Sequence, residues 1–289
     1  MKRMLAMLSF FPLLLGSCSG NGGEKEFSIQ LYSVRELIGN PELYAENHVQ
    51  VLSELAGMGY TGVEAACYND GLLYGVSPEQ FKADIEAAGL KPLSSHVSLA
   101  LSENALMTGD FSVELAWWDK CIAAHKAAGM SYLVMPWFPV PADLDALKRY
   151  CDYFNEIGRR CNEQGLRFGY HNHSHEFNKI GDKVVYDFIL ENTDPELVFL
   201  QMDVYWAVMG RVSPVEYFKK YPGRFELLHI KDYSALGQSG MVGFDAIFNN
   251  FELSGTRDIV VEIEFSTCGD IMQSCRESAD YLKAAEFVK

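Results

Sequence analysis

The apolar residues of this chain fall into short runs rich in β-branched and aromatic residues, and these alternate with longer amphipathic stretches. Phe27 to Tyr32 reads as a strand, and Pro41 to Met58 as a helix that Gly59 closes. The strand Tyr60 to Ala66, the helix Pro78 to Ala88 with Gly89 behind it, and the strand Lys91 to Leu99 follow. Phe111 to Ala128 is a helix stopped by Gly129, Ser131 to Pro136 a strand, Ala142 to Gln164 a long helix stopped by Gly165, and Leu166 to His173 a strand. The second half continues with the helix Val184 to Glu191, the strand Leu197 to Val204, the helix Pro214 to Lys220 and the strand Arg224 to Lys231. Asp245 to Phe251, Asp258 to Phe265 and Asp270 to Phe287 form a last helix, strand and helix. Glycine recurs where a left-handed residue ends a helix.

Strict alternation of this kind predicts a parallel sheet with helices outside it. An open doubly wound sheet would carry a glycine-rich phosphate turn after its first strand. Here the first strand runs into Gln30-Leu31-Tyr32-Ser33-Val34-Arg35, without glycine. The expected fold is therefore α/β, a closed (β/α)8 barrel in a single domain over residues 27–289. A length of 289 residues suits it. With 48% hydrophobic and 22% charged residues, the chain can bury an ordinary globular core.

In such barrels the site lies at the carboxyl ends of the strands, and there the ionisable residues gather. The strands close with Gln30 and Tyr32, then Glu64, His96, and Pro136-Trp137. The fifth carries Tyr170-His171-Asn172-His173-Ser174-His175-Glu176, the sixth Asp203-Val204-Tyr205-Trp206, the seventh His229-Ile230-Lys231-Asp232, and the eighth Glu262-Ile263-Glu264. Strand periodicity sets His171 and His173 on one face, and Glu262 and Glu264 on one face. Imidazoles and carboxylates converging on one rim suit Zn, Mn, Mg or Co rather than calcium, which prefers oxygen alone. Tyr32, Trp137, Tyr205 and Trp206 could wall the apolar face of a sugar, against the plainer reading that they only pack. Glu176, Glu262 and Lys231 are candidate catalytic groups. Gln30, Glu64, His96, His173 and Glu264 are candidate substrate contacts, or else structural hydrogen-bonding groups.

The segments Gln30-Leu31-Tyr32-Ser33-Val34-Arg35, Gly59-Tyr60-Thr61-Gly62-Val63-Glu64, Tyr170-His171-Asn172-His173, Met202-Asp203-Val204, His229-Ile230-Lys231-Asp232 and Val261-Glu262 occur in that order across the chain. Together they resemble the sugar phosphate isomerase/epimerase group of the xylose-isomerase-like barrels. That superfamily also holds tagatose-type epimerases, inosose dehydratases and an apurinic-site endonuclease branch. The resemblance implies a metal site drawn from the later strands, with Asp203, His229 and Glu262 as ligands. Its fifth-strand member, a glutamate in the epimerases, falls here on His171, with His173 and Glu176 as substitutes. Epimerisation by two opposed metal-bound glutamates is thereby put in question.

Lys2 and Arg3, the apolar run Met4 to Leu15, and Leu15-Gly16-Ser17-Cys18 resemble the leader of a bacterial lipoprotein. The expectation is a signal peptide over 1–17, lipidation at Cys18, a flexible tether over 18–26, and an exported, membrane-anchored location. Cleavage there would take the net charge from −15 to −17. So acidic a chain is a poor match for nucleic acid, which disfavours the endonuclease branch. The remaining cysteines lack the spacing of a disulfide scaffold, and Cys268 and Cys275 are not expected to bridge.

These observations point to a divalent-metal-dependent sugar isomerase or epimerase. It would act by proton transfer next to a carbonyl or hydroxyl of a free sugar, keto-sugar or glycoside. Elimination from a keto-glycoside on the same site is the alternative. A carbohydrate-binding lipoprotein without turnover is a further one. The expected partners are a small carbohydrate and the membrane, through the lipid only; an oligomer is compatible with the sequence.

Overall fold

The computed structural model describes residues 25–288. The expected signal peptide and Cys18 lie outside the described residues, as does most of the tether. Eight parallel strands close into a barrel: β1 (Ser28–Gln30), β2 (Gly62–Ala65), β3 (Lys91–His96), β4 (Tyr132–Met135), β5 (Arg167–His171), β6 (Val198–Asp203), β7 (Leu227–Lys231) and β8 (Asp258–Glu262). Each pairs with its sequence neighbours, and β1 meets β8 through Ser28 opposite Val260. The expected single-domain (β/α)8 architecture is what the chain adopts.

Helix ends follow local chemistry. Pro41–Met58 begins at Asn40, whose side chain accepts from Leu43 N, and ends at Gly59 with a left-handed φ of 103°. Ser77, Asp143, Ser213 and Asp270 cap later helices in the same way. Apolar side chains fill the space between helices and barrel, with Trp118, Phe154 and Phe168 fully buried. The long helix Leu144–Gln164 comes so close to the approach to β6 that a Cβ on Gly158 would lie 2.3 Å from the Leu197 carbonyl oxygen. Backbone cannot yield there, so Gly158→Ala is expected to cost about 1–3 kcal/mol, measured by urea denaturation.

The strands are shorter than the apolar runs. Tyr32 leaves β1 because the Gln30 side chain accepts from Tyr32 N and turns the chain into a 3-10 helix, Leu31–Val34. The expected helix Asp245 to Phe251 is two short ones, Phe244–Phe248 and Phe251–Ser254. Hairpins at Tyr68–Asn69/Leu72–Leu73 and Lys179–Ile180/Lys183–Val184, and short helices Glu103–Thr108 and Val204–Met209, decorate the loops at the carboxyl end. None of the described helices is long and apolar enough to cross a membrane.

Candidate active site

The centre of the barrel mouth is a buried carboxylate. Glu64, on β2, is fully enclosed and takes bonds from five side chains. Gln30 Nε2 donates to its Oε1 at 2.7 Å, Ser94 Oγ to its Oε2 at 2.7 Å, and Gln201 Nε2 to its Oε2 at 2.9 Å. His229 Nε2 lies 2.6 Å and His96 Nε2 3.0 Å from Oε1. Burial opposes ionisation of Glu64, but His96 and His229 hold its carboxyl well below the usual range. An ionised carboxylate only accepts, so both imidazoles donate through Nε2. Gln201 extends the network, its Oε1 accepting from His96 Nε2 at 2.8 Å and His171 Nδ1 at 3.1 Å.

This network sets the ring nitrogens. His229 spends Nε2 on Glu64 and turns Nδ1 toward Asp203 and Glu262; His171 spends Nδ1 on Gln201, and its Nε2 has no hydrogen-bond partner among the described residues. One ligand atom each from Asp203, His229 and Glu262 lie within 4.8 Å of one another. The elements bring them there in register, Asp203 opposite His229 and Lys231 opposite Glu262. Asp203 divides its oxygens. Oδ1 accepts from Trp206 N at 2.7 Å and caps Val204–Met209, while Oδ2 is buried without a hydrogen-bond partner among the described residues. His229 Nδ1 is likewise buried and unpartnered, 3.4 Å from Glu262 Oε2. Two donors about 2.0–2.2 Å from one tetrahedral ion stand roughly 3.3–3.5 Å apart. Two orphaned donor atoms beside a third at that spacing fit a divalent cation, and the carboxylate–imidazole pair behind His229 is the usual support for such a ligand.

Charge at the site is finely opposed. Burial pushes the Asp203 carboxyl up to about 7 despite Lys231 and His229 nearby. Burial also disfavours charge on His229, yet Glu64 and Glu262 outweigh it and raise the imidazole to about 10. Glu262 is held well below the carboxylate range, burial being overcome chiefly by Lys231. Lys231 Nζ sits 3.0 Å from Glu262 Oε2, 2.9 Å from Glu264 Oε2, and 5.2 Å above the Trp206 ring. His171 and His173 are kept neutral, mainly by burial.

Above this layer opens a cavity of about 470 Å³. Tyr32, His96, Trp137, His171, His173, Glu262 and Glu264 line it, together with Tyr68 and Trp117. Tyr32 and Trp137 stand about half exposed at its rim. Several candidate contacts are elsewhere. Gln30 and Glu64 are completely buried and do not line the cavity; Glu64 holds His96 and His229, and Gln30 holds Glu64. Tyr205 turns into the core, because helical periodicity takes over after Asp203 and leaves Trp206 on the site side. Glu176 is also fully buried; its Oε1 accepts from the Tyr170 hydroxyl and its Oε2 from His173 N at 2.9 Å, so it clamps the turn after β5 rather than facing the cavity. Gln201 and Ser94 were not singled out in the sequence. Gln201 lies two residues before Asp203 on the same strand face, and that spacing was the available signal.

A ring of imidazoles and carboxylates under an aromatic-rimmed cavity, at the carboxyl end of a parallel barrel, marks a candidate small-molecule site. The chain belongs to the xylose isomerase-like TIM barrel family, whose sequence profile matches residues 52–285. It is similar to the crystal structure of a sugar phosphate isomerase/epimerase from Parabacteroides distasonis, with 35% identity, 92% of this chain and 100% of that one covered, and a TM-score of 0.83. It is 26% identical to the inosose dehydratase of Geobacillus kaustophilus over 63% of this chain, and spans only 61% of that relative. D-Allulose 3-epimerase from Methylomonas sp. shares the fold at 14% identity, covering 90% of this chain and 96% of that one with a TM-score of 0.67.

Proposed function

We propose that this protein is an isomerase/epimerase-like enzyme that binds a divalent cation through Asp203, His229 and Glu262, and moves a proton next to a carbonyl of an unphosphorylated sugar, keto-sugar or glycoside. The observation that carries this reading is the meeting of two orphaned buried donors, Asp203 Oδ2 and His229 Nδ1, with Glu262 beneath the cavity. When bound, the cation supplies Lewis acidity that makes a C–H beside a carbonyl more acidic. Glu262, ionised and facing the cavity, is the group placed to take that proton. Lys231 stays charged against it and offsets the negative charge that develops on the substrate oxygen. His171 Nε2 and His173 face the substrate from the β5 side, and Tyr32 and Trp137 bound the mouth.

Phosphate finds little welcome here. The anionic Glu262 and Glu264 line the cavity, Lys231 is committed to both, and Arg35 is turned onto the Tyr32 and Glu264 carbonyls and the Tyr32 ring. A neutral substrate also agrees with export through the expected lipidated Cys18, as proposed from the sequence.

A second reading, elimination, is favoured by one feature. The β5 donor is an imidazole, so the two faces of a bound sugar meet unlike groups instead of two carboxylates. Proton removal on the Glu262 side with loss of a β-hydroxyl then competes with reprotonation, and the dehydratase relative is in keeping with this. The test is a panel of keto-sugars, keto-cyclitols and glycosides in D2O, followed by NMR with Mn²⁺, Zn²⁺, Mg²⁺ or Co²⁺ supplied. The expected result is deuterium at the carbon beside the carbonyl, with a new stereoisomer or a product lacking one water. Sugar binding without exchange on any metal-loaded sample would leave a binding protein only.

A further inference from the structure

The turn after β5 contains a second set of donors, of which the reaction outlined above uses His173 alone, as a substrate contact. His173, Ser174, His175 and Glu176 are consecutive, and His175–Phe177 forms a 3-10 turn. One nitrogen of His173, one of His175 and one carboxylate oxygen of Glu176 lie within 4.8 Å of one another. His175 Nε2 is 3.4 Å from Glu176 Oε1, again the edge expected for two ligands on a tetrahedral ion. His173 Nδ1 is buried and has no hydrogen-bond partner among the described residues. The His173 and His175 rings stack with centroids 5.9 Å apart and planes 22° from parallel.

Glu176 raises the sharper question. It is completely buried, and its two bonds, from the Tyr170 hydroxyl and His173 N, come from neutral donors. No lysine or arginine pairs with it among the described residues; His175 is its one candidate counter-charge. An enclosed carboxylate with neither proton nor cation is costly. A divalent ion between this carboxylate and two imidazoles would resolve the cost and give His173 Nδ1 or Nε2 a partner.

We propose that His173, His175 and Glu176 form a second divalent-cation site, distinct from the one at Asp203, His229 and Glu262. Two imidazoles and a carboxylate make a donor set suited to Zn²⁺, and three protein ligands leave a position for water or for a hydroxyl of the substrate. The site adjoins the cavity, since His173 lines it and its ring centroid lies 5.1 Å from that of His171. The proposal does not depend on the assignment of the first site.

Untagged full-length protein is stripped with chelator, titrated with Zn²⁺ and assayed by calorimetry and by elemental analysis after gel filtration. His175→Ala and His175→Asn serve as the test variants, because this ring is partly exposed and makes no hydrogen bond among the described residues; unchanged thermal melting of the metal-free forms checks their fold. Two equivalents are expected for the wild type, one for each His175 variant, and one for Asp203→Asn. The combined variant His175→Ala/Asp203→Asn is expected to bind none. A single wild-type equivalent that survives His175→Ala and disappears in Asp203→Asn would overturn the second site and leave the first. A single equivalent lost in His175→Ala alone would uphold the second and remove the first. Absence of tight Zn²⁺ binding in the wild type would overturn the proposal.

Discussion

Replacing Asp203 by asparagine is expected to lower divalent-cation affinity at the proposed first site by more than about 100-fold and turnover by about 1,000-fold or more, while the fold survives. The asymmetry follows from the two oxygens. Asparagine keeps an oxygen to accept from Trp206 N, so the cap on Val204–Met209 is retained. What it loses is the carboxyl Oδ2, which meets no protein donor among the described residues and faces His229 and Glu262. Loss of a supporting partner alone typically costs 10–100-fold in metal affinity, and loss of a ligand itself costs more. A Lewis-acid contribution of several kcal/mol corresponds to about 10²–10⁴ in rate. Calorimetric titration with Mn²⁺ and steady-state assay on the substrate found by NMR check both figures. Loss of the helix cap would instead appear as a lowered melting temperature with metal affinity unchanged.

Exchange of Glu64 for glutamine acts at one remove and falls most heavily on stability. The carboxylate accepts from five donors, and an amide has only one accepting oxygen to offer. If that oxygen stays toward His229 and Gln30, the new NH2 group points at the Gln201 NH2, which lies 2.9 Å away, donor against donor. His229 and His96 would also lose their anionic partner in a dry setting. Breaking a buried charged pair costs about 3–5 kcal/mol, so the metal-free Glu64→Gln variant should melt roughly 10 °C lower in calorimetry. Metal affinity should fall about 10–100-fold as His229 loses its orienting contact. A variant that melts like the wild type but no longer binds substrate would assign Glu64 to the ligand after all.

The difference between these residues explains how much could be read from the sequence. Asp203, His229 and Glu262 each follow a mainly apolar run in the later part of a strand, so their place toward the carboxyl end was legible, and they do converge. Glu64 on β2 reads the same way, yet both its oxygens are taken up by side chains from other strands. The register between β2 and β3 slips between Val63 and Glu64, a bulge that side-chain alternation does not announce. Tyr205 and Trp206 read alike as rim aromatics until the chain turns helical at Val204, where the period changes and sends one to the core. Gln201 was missed because a glutamine inside the apolar segment Phe199-Leu200-Gln201-Met202 gains its meaning only from the partners that other strands bring to it. Glu176 lies in a polar run that gave no sign of being buried; the Tyr170 hydroxyl and the His173 amide decide its orientation.

The most direct measurement is the anomalous diffraction of crystals grown with Co²⁺, recorded on both sides of the metal edge. The expected result is a peak about 2.0–2.2 Å from Asp203 Oδ2 and His229 Nδ1, with Glu262 also bound. A fully cobalt-equilibrated crystal with no peak between these three side chains, and with Lys231 Nζ still held on Glu262, would contradict it.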